Sequence, residues 1–313
     1  MKQQSDKVYT FSCHTDLAVE LKEEMEKRQE LTGVDVLTRS YRYHGIEETH
    51  IEIKNEEGAD LIGKPVGHYV TLEMKHGRKK TVENKLAQII ADVLSRYGKE
   101  ADNLLVVGLG NHQVTPDALG PQVLDKLAVT RHLIRYGYSK NPHQKKVSAL
   151  CPGVMAQTGM ETLEIVKGVA EELKPDLILV IDALAARNCE RLNRTIQLCD
   201  TGISPGAGVG NNRQEMNEQT LGVKVIAIGV PTVIAVPTIL CDALAEYRNQ
   251  QKNADKETFR DLTWEEQFAL ARNLMEPYFT DLFVTPKNID EEIAQMSSCI
   301  ARGINAYTGG GLA

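Results

Sequence analysis

Residues 177–182 read LILVID, an unbroken apolar run closed by an acid, and the way this run is read decides the fold. A strand with one wet face alternates apolar and polar residues, whereas a run without alternation is a strand covered on both faces. Four more short runs, most of them without alternation, stand at LLVVGLG (104–110), VSALC (147–151), TIQLCD (195–200) and VKVIAIG (223–229). Between them the pattern predicts helices over about 117–136 and 159–173, the second opened by a capping box at Thr158-x-x-Glu161. Strands that alternate with helices make an α/β three-layer sandwich, with its site in the loops at the C-terminal strand ends.

Towards the N-terminus, Asp16 to Arg28 (DLAVELKEEMEKR) reads as a charged helix. From Val34 to Met74 the period becomes two, as in Ile51/Ile53 and Val70/Leu72/Met74, with turn signals at NEEGAD and IGKPVG. This predicts a small β-rich subregion over about 34–81. Val82, Leu86, Ile89, Ile90, Val93 and Leu94 then recur at helical spacing, and Gly98 ends that helix. Towards the C-terminus, 248–261 offers no apolar face and reads as an exposed insertion. A helix follows from Thr263-x-x-Glu266, and a last one spans about 288–306.

The 313 residues, 42% of them hydrophobic, supply enough apolar material for one large domain or two ordinary ones. A net charge of −7 and the lack of a dense Lys/Arg stripe argue against a nucleic-acid-binding role. No run reaches the roughly 18 apolar residues that a membrane span needs, which points to a soluble cytoplasmic protein. Cys13, Cys151, Cys189, Cys199, Cys241 and Cys299 form no CxxC pair, as expected of buried thiols in a reducing compartment.

Several signatures fail on physical grounds. Gly108-Leu109-Gly110 follows a strand as a dinucleotide fingerprint does, but Gln113 fills the position of the third glycine, where a side chain obstructs helix packing. A nucleotide-binding regulatory protein using this loop and the later glycine-rich one remains the rival outside enzymes. Gly202-Ile203-Ser204-Pro205-Gly206 matches GxSxG, yet the residue after the nucleophile must donate its N–H to the oxyanion and Pro205 has none. Cys151, before Pro152, has no spacing that favours a thiol nucleophile paired with His112 over a buried cysteine.

What remains is a set of acids at strand ends: Asp117 in NHQVTPDALG, Asp182 in LILVIDALAARN and Asp200 in IQLCDTGISPGAGVGNNR. Each by itself suits a helix cap or turn; Thr115-Pro116-Asp117 is a good helix start. If their strands are neighbours, however, Asp117 and Asp182 share one crevice, where two close carboxylates keep one proton between them. Such a pair activates water with one member and protonates the leaving group with the other. The same acids with His112 form an alternative divalent-metal site.

The runs VVGLGN, VTPDALGP, CPGVMAQTGMET, IDALAARN, TIQLCDTGISPGAGVGNNR, LGVKVIAIGVPTV, VTPKNID and IARGINA resemble, in order and spacing, the germination proteases of spore-forming Gram-positive bacteria. The resemblance covers about residues 8–307. It implies an atypical aspartic-type endopeptidase, without a cofactor, that degrades the small acid-soluble proteins coating spore DNA at germination. It further implies a fold like that of the hydrogenase maturation endopeptidases, a homotetramer, a place in the forespore or spore core, and essential aspartates in TPDALG and IDALA, here Asp117 and Asp182.

The resemblance also implies a zymogen that removes its own N-terminal segment at a site like that of its substrates: Thr-Glu, then an apolar residue, Ala, Ser and Glu. His14-Thr15-Asp16-Leu17-Ala18-Val19-Glu20 has that form, which predicts a pro-segment 1–16, a cut between Asp16 and Leu17, and a peptidase domain 17–313. The segment carries two lysines and two aspartates, so its removal leaves the net charge at −7 and blocking is steric rather than electrostatic. Acids on both sides of the cut call for basic groups in the cleft, for which Arg187, Arg191, Arg194 and Arg213 are available. Gly202, Gly206, Gly208 and Gly210 let main chain approach an extended peptide.

Overall fold

The computed structural model describes residues 15–26, 32–75, 80–139, 141–206, 213–250, 264–275 and 282–310. In chain order the elements are α1 (Ala18–Glu26), β1 (Val34–Tyr41), β2 (Ile46–Ile53), α2 (Glu56–Ile62), β3 (Gly67–Met74), α3 (Lys80–Tyr97), β4 (Asn103–Gly108), α4 (Leu119–Leu124), α5 (Arg131–Arg135), β5 (Lys146–Leu150) and α6 (Met155–Thr158). They continue with α7 (Thr162–Leu173), β6 (Leu177–Ala186), β7 (Thr195–Cys199), α8 (Glu218–Leu221), β8 (Val225–Ala235), α9 (Val236–Gln250), α10 (Trp264–Met275), β9 (Phe283–Val284) and α11 (Ile289–Thr308).

One mixed sheet runs through the molecule in the order β1-β2-β3-β7-β8-β6-β4-β5, and β9 pairs with β8. The half made of β5, β4, β6 and β8 is parallel, and β7, β3, β2 and β1 continue it antiparallel. Helices cover both faces. On one, Val82, Leu86, Ile90 and Leu94 of α3 and Ile293, Ile300 and Ile304 of α11 pack on Leu104, Val106, Leu179, Ile181, Ile226 and Ile228. On the other, Val166 and Ala170 of α7 lie over Leu105, Val107, Ile178 and Val180, while Leu17, Ala18 and Val19 lie over Tyr69, Leu184, Cys199 and Ala227. The layers match the unalternating runs, because a strand covered twice has no solvent face to spend on polar residues.

The differences from the sequence reading have physical reasons. The β-rich region is not set apart: β3 pairs with β7, Tyr69 opposite Cys199, so it completes the same sheet. NEEGAD is a helix and not a turn, because Asn55 caps α2 by accepting from the Gly58 N–H at 2.9 Å. The predicted helix 117–136 is broken into α4 and α5, since Thr130 is drawn to β5, its N–H donating to the Val147 carbonyl and its hydroxyl to the Lys145 carbonyl. The capping box belongs to Glu161 and Glu164, one turn late, because Gly159 at φ 72° ends α6 first. Strands β6 and β8 outrun their apolar cores, so Asp182 lies inside β6 rather than at its end.

Of the predicted insertion, 248–250 closes α9 and 251–261 lies outside the described residues, as do Cys13, Gly208, Gly210 and Thr263. Cys199, Cys241 and Cys299 are buried, but Cys151 and Cys189 are exposed, contrary to the expectation that all are buried. Among the described residues no helix is long and apolar enough to cross a membrane.

Candidate active site

The face that carries α7 and α1 is interrupted by one acid. Val180 packs under α7 and Leu184 under α1, while Asp182, between them on the same face of β6, is 6% exposed in a strand where its neighbours are apolar. Its Oδ1 accepts from the Ala183 N–H at 2.9 Å. Asp117 comes from the loop after β4, on a single helical turn Thr115–Asp117. Three ties hold that turn. The Asn111 N–H donates to the Asp117 carbonyl at 3.0 Å, Thr115 Oγ1 donates to Asp290 Oδ1 at 2.9 Å, and Thr232 Oγ1 donates to the Pro116 carbonyl at 2.7 Å. Thr232 reaches the turn because β8 bulges there: Leu184 pairs with Pro231 and Ala185 with Val233, which leaves Thr232 as the extra residue. Gly110, at φ 102°, allows the approach, since a Cβ there would lie 2.0 Å from the Asp117 carbonyl oxygen.

Asp117 and Asp182 line one cavity of about 480 Å³ together with Asp16, Arg213, Gly206 and Thr232. Burial, and then the charges of Asp117 and Asp16, push the Asp182 carboxyl well above the ordinary carboxylate range, against weaker help from the Ala183 N–H and Arg213. Burial also raises Asp117, opposed by the Asn111 backbone N–H and by Arg213. Burial thus disfavours ionisation of both neighbouring acids, and a pair of this kind suits one carboxyl to act as base and the other as acid.

The third acid, Asp16, opens a docked segment. Its N–H donates to the Ala185 carbonyl at 3.2 Å, its Oδ2 accepts from the Ala185 N–H at 2.9 Å, and its carbonyl accepts from Gln197 Nε2 at 3.0 Å. Gln197 Oε1 accepts from the Ala18 N–H at 2.7 Å. Leu17 is fully buried against Tyr69, Leu184, Cys199 and Ala227. Glu20, also buried, accepts from the Thr15 hydroxyl and from the N–H groups of Arg187 at 2.9 Å and Asn188 at 3.0 Å, and Arg191 Nη1 stands 3.5 Å away. Arg191 is further held by Glu23 at 2.6 Å and Glu73 at 2.8 Å. Burial raises the Glu20 carboxyl despite these donors.

The other sequence candidates fall elsewhere. His112 is exposed and faces Asp125 at 3.5 Å, and among the described residues no group of three or more His, Cys, Asp or Glu side chains is placed to share a metal ion. Asp200 is not in the cavity; it accepts from the His68 N–H at 2.8 Å and meets His68 Nδ1 at 2.9 Å, tying β7 to β3. Ser204 donates to Glu215 on an exposed loop. Of the arginines, Arg213 lines the cavity, Arg187 offers its backbone and Arg191 its guanidinium to Glu20, and Arg194 lies away from them beside Glu73 and Lys75. Sequence reasoning passed over Gln197 and Thr232. The signal for Gln197 was there, a glutamine in the middle of the wholly buried strand TIQLC.

Comparison with known proteins bears on this geometry. Residues 13–251 match the germination protease family, a stretch that includes both aspartates and the docked segment. The chain belongs to that family. A germination protease of Clostridium tetani is 43% identical over 308 residues, 94% of this chain and 95% of that one. One from Caldanaerobacter subterraneus is 42% identical over 310 residues, 95% and 94% of the two chains, and one from Bacillus cereus is 38% identical over 343 aligned positions, 95% and 93%. A crystal structure of the NiFe hydrogenase maturation protease HycI from Thermococcus kodakarensis aligns at 16% identity with a TM-score of 0.35, covering 69% of this chain and 99% of that one. Membership makes the chain a peptidase, and the family supports a role in the spore.

Proposed function

We propose that this peptidase is an aspartic-type endopeptidase of the spore core, made as a zymogen that cuts itself between Asp16 and Leu17. Its substrates would be the small acid-soluble proteins that coat spore DNA, and it would work as a homotetramer without a cofactor. The observation that carries the reading is that Asp16 lines the cavity of Asp117 and Asp182 while Thr15 to Glu20 lies docked beside it. A substrate of the form Thr-Glu-apolar-Ala-Ser-Glu fits the same contacts: an acid on the Ala185 N–H, an apolar side chain in the Leu17 pocket, and the last acid at Arg191.

Whichever carboxylate is ionised takes a proton from water as the water oxygen bonds to the carbonyl carbon. The protonated partner then delivers its proton to the nitrogen as the C–N bond breaks. One water is consumed, and the pair again holds one proton. Arg213 favours the ionised form of both carboxyls, against the effect of burial. Processing would remove 1–16, a segment of no net charge, so activation would relieve a steric block.

The test is the mass of the purified chain after incubation near pH 5 and near pH 7. Loss of residues 1–16, abolished by Asp117→Asn or Asp182→Asn, is the expected result. An uncut chain that also fails to cleave small acid-soluble spore proteins would overturn the reading.

A further inference from the structure

Asp182, Gly229 and Gln197 stand in register across β6, β8 and β7. Register partners share a face, so the acid and the amide look out from the same side, two strand spacings or about 10 Å apart. The Leu184 side chain packs over the bare Gly229 between them. The main chain of Asp16 to Ala18 is held over this row. Gln197 is 6% exposed, and its amide is spent on that segment, Nε2 on the Asp16 carbonyl at 3.0 Å and Oε1 on the Ala18 N–H at 2.7 Å. Only one orientation of the amide serves both, since the flipped group would set its NH₂ against an N–H and its oxygen against a carbonyl. A buried amide with no partner is costly, so the position calls for a peptide that presents an acceptor and, two residues on, a donor.

We propose that Gln197 is a catalytic residue: its Nε2–H donates to the carbonyl oxygen of the bond being cut and stabilises the negative charge that develops there. Its Oε1 sets the register by accepting the N–H of the second residue after the cut. This inference rests on the proposed cleavage between Asp16 and Leu17. When water adds to the carbonyl carbon, the C=O electron pair moves onto the oxygen against Nε2–H. It returns as the C–N bond breaks and the protonated carboxyl supplies the leaving nitrogen with its proton. A donor already in place in a water-poor site needs no reorganisation at that moment.

The test uses protein lacking residues 1–16, the variants processed in trans by wild type that is then removed, and two peptides, the chain's own residues 14–22 and the same peptide methylated on the nitrogen of the alanine at position 18. Wild type cuts the plain peptide between its Asp and Leu and shows a raised KM for the methylated one. Gln197→Leu and Gln197→Glu lower kcat on the plain peptide by about 10²- to 10³-fold, the usual loss for an oxyanion donor. In Gln197→Leu the methyl group no longer changes KM, whereas Gln197→Glu, which keeps an acceptor for that N–H and loses only the donor, still shows the raised KM. Wild-type kcat in either variant, or equal KM for both peptides in wild type, overturns the inference while the proposed cleavage stands. If Gln197→Leu does not fold, Gln197→Glu, which keeps the size and the acceptor and removes only the donor to the Asp16 carbonyl, decides by its kcat. Failure of wild type to cut the plain peptide at Asp-Leu overturns the proposed function and this inference with it.

Discussion

Asp16 and Ala185 grip each other through two hydrogen bonds, the Asp16 N–H donating to the Ala185 carbonyl at 3.2 Å and the Ala185 N–H to Asp16 Oδ2 at 2.9 Å. The acid before the proposed cut is thus read by main chain, and its side chain decides whether the contact exists. Charge-assisted bonds of this kind contribute about 1.5–3 kcal/mol. Asp16→Ala should therefore process itself about 10- to 100-fold more slowly, and Asp16→Asn, which keeps a neutral acceptor, should fall between. Mass spectrometry of a time course reads both rates.

The proposed acid–base pair predicts a bell-shaped pH profile for peptide cleavage. Both carboxyls are raised by burial, Asp182 the more strongly and further by Asp117 and Asp16, so the alkaline limb should lie above the ordinary carboxylate range. Asp117→Asn and Asp182→Asn should each remove at least about 10²-fold of kcat, the usual contribution of a general acid or base.

Stability should follow the same ionisation. A carboxyl whose folded pKa is raised binds its proton more tightly folded than unfolded, so its favourable contribution is complete below the unfolded pKa and is lost as pH rises through the folded one. The Tm difference between Asp182→Asn and wild type should accordingly grow in favour of the variant as pH is raised above the ordinary carboxylate range. Asp182→Asn, which keeps an oxygen for the Ala183 N–H, should be more stable than wild type at pH 7. A Tm of Asp182→Asn at pH 7 below that of wild type would contradict the assignment.

Arg191 sits among Glu20, Glu23 and Glu73, and Glu20 is buried. Removing one partner from a buried charge cluster costs about 3–5 kcal/mol because the other charge is left uncompensated. Arg191→Met should approach that loss in urea unfolding and slow self-processing. Arg191→Lys should recover little, since a single ammonium does not span three carboxylates.

Gly110 is required by contact as well as by conformation. Gly110→Ala should displace the Asp117 turn, because its Cβ would meet the Asp117 carbonyl oxygen at 2.0 Å. A misplacement of about 1 Å costs on the order of 10²-fold in rate. Cleavage should drop by that much, with the circular dichroism spectrum unchanged.

The unalternating runs at 104–110 and 177–182 carried the α/β reading because burial on both faces writes itself directly into composition. Asp117 and Asp182 stood out for the complementary reason, as acids at the ends of such runs. Elements set by distant contacts were less visible. The break before α5 depends on Thr130 bonding to β5, and helix α2 depends on the Asn55 cap in a stretch that reads equally well as a turn. Gln197 looked like one polar residue in a strand until β7 was placed beside β8.

The sequence by itself determined the layered α/β class and the family, and it singled out Asp117, Asp182 and the segment Thr15 to Glu20 as candidates. All of these are local patterns of residue type and spacing. Only the tertiary structure decided that Asp117, Asp182 and Asp16 share one cavity, that Arg191 serves Glu20, and that His112 and Asp200 stand apart. Those relations depend on strand order and register, and a strand's residues do not record which strand lies next to it.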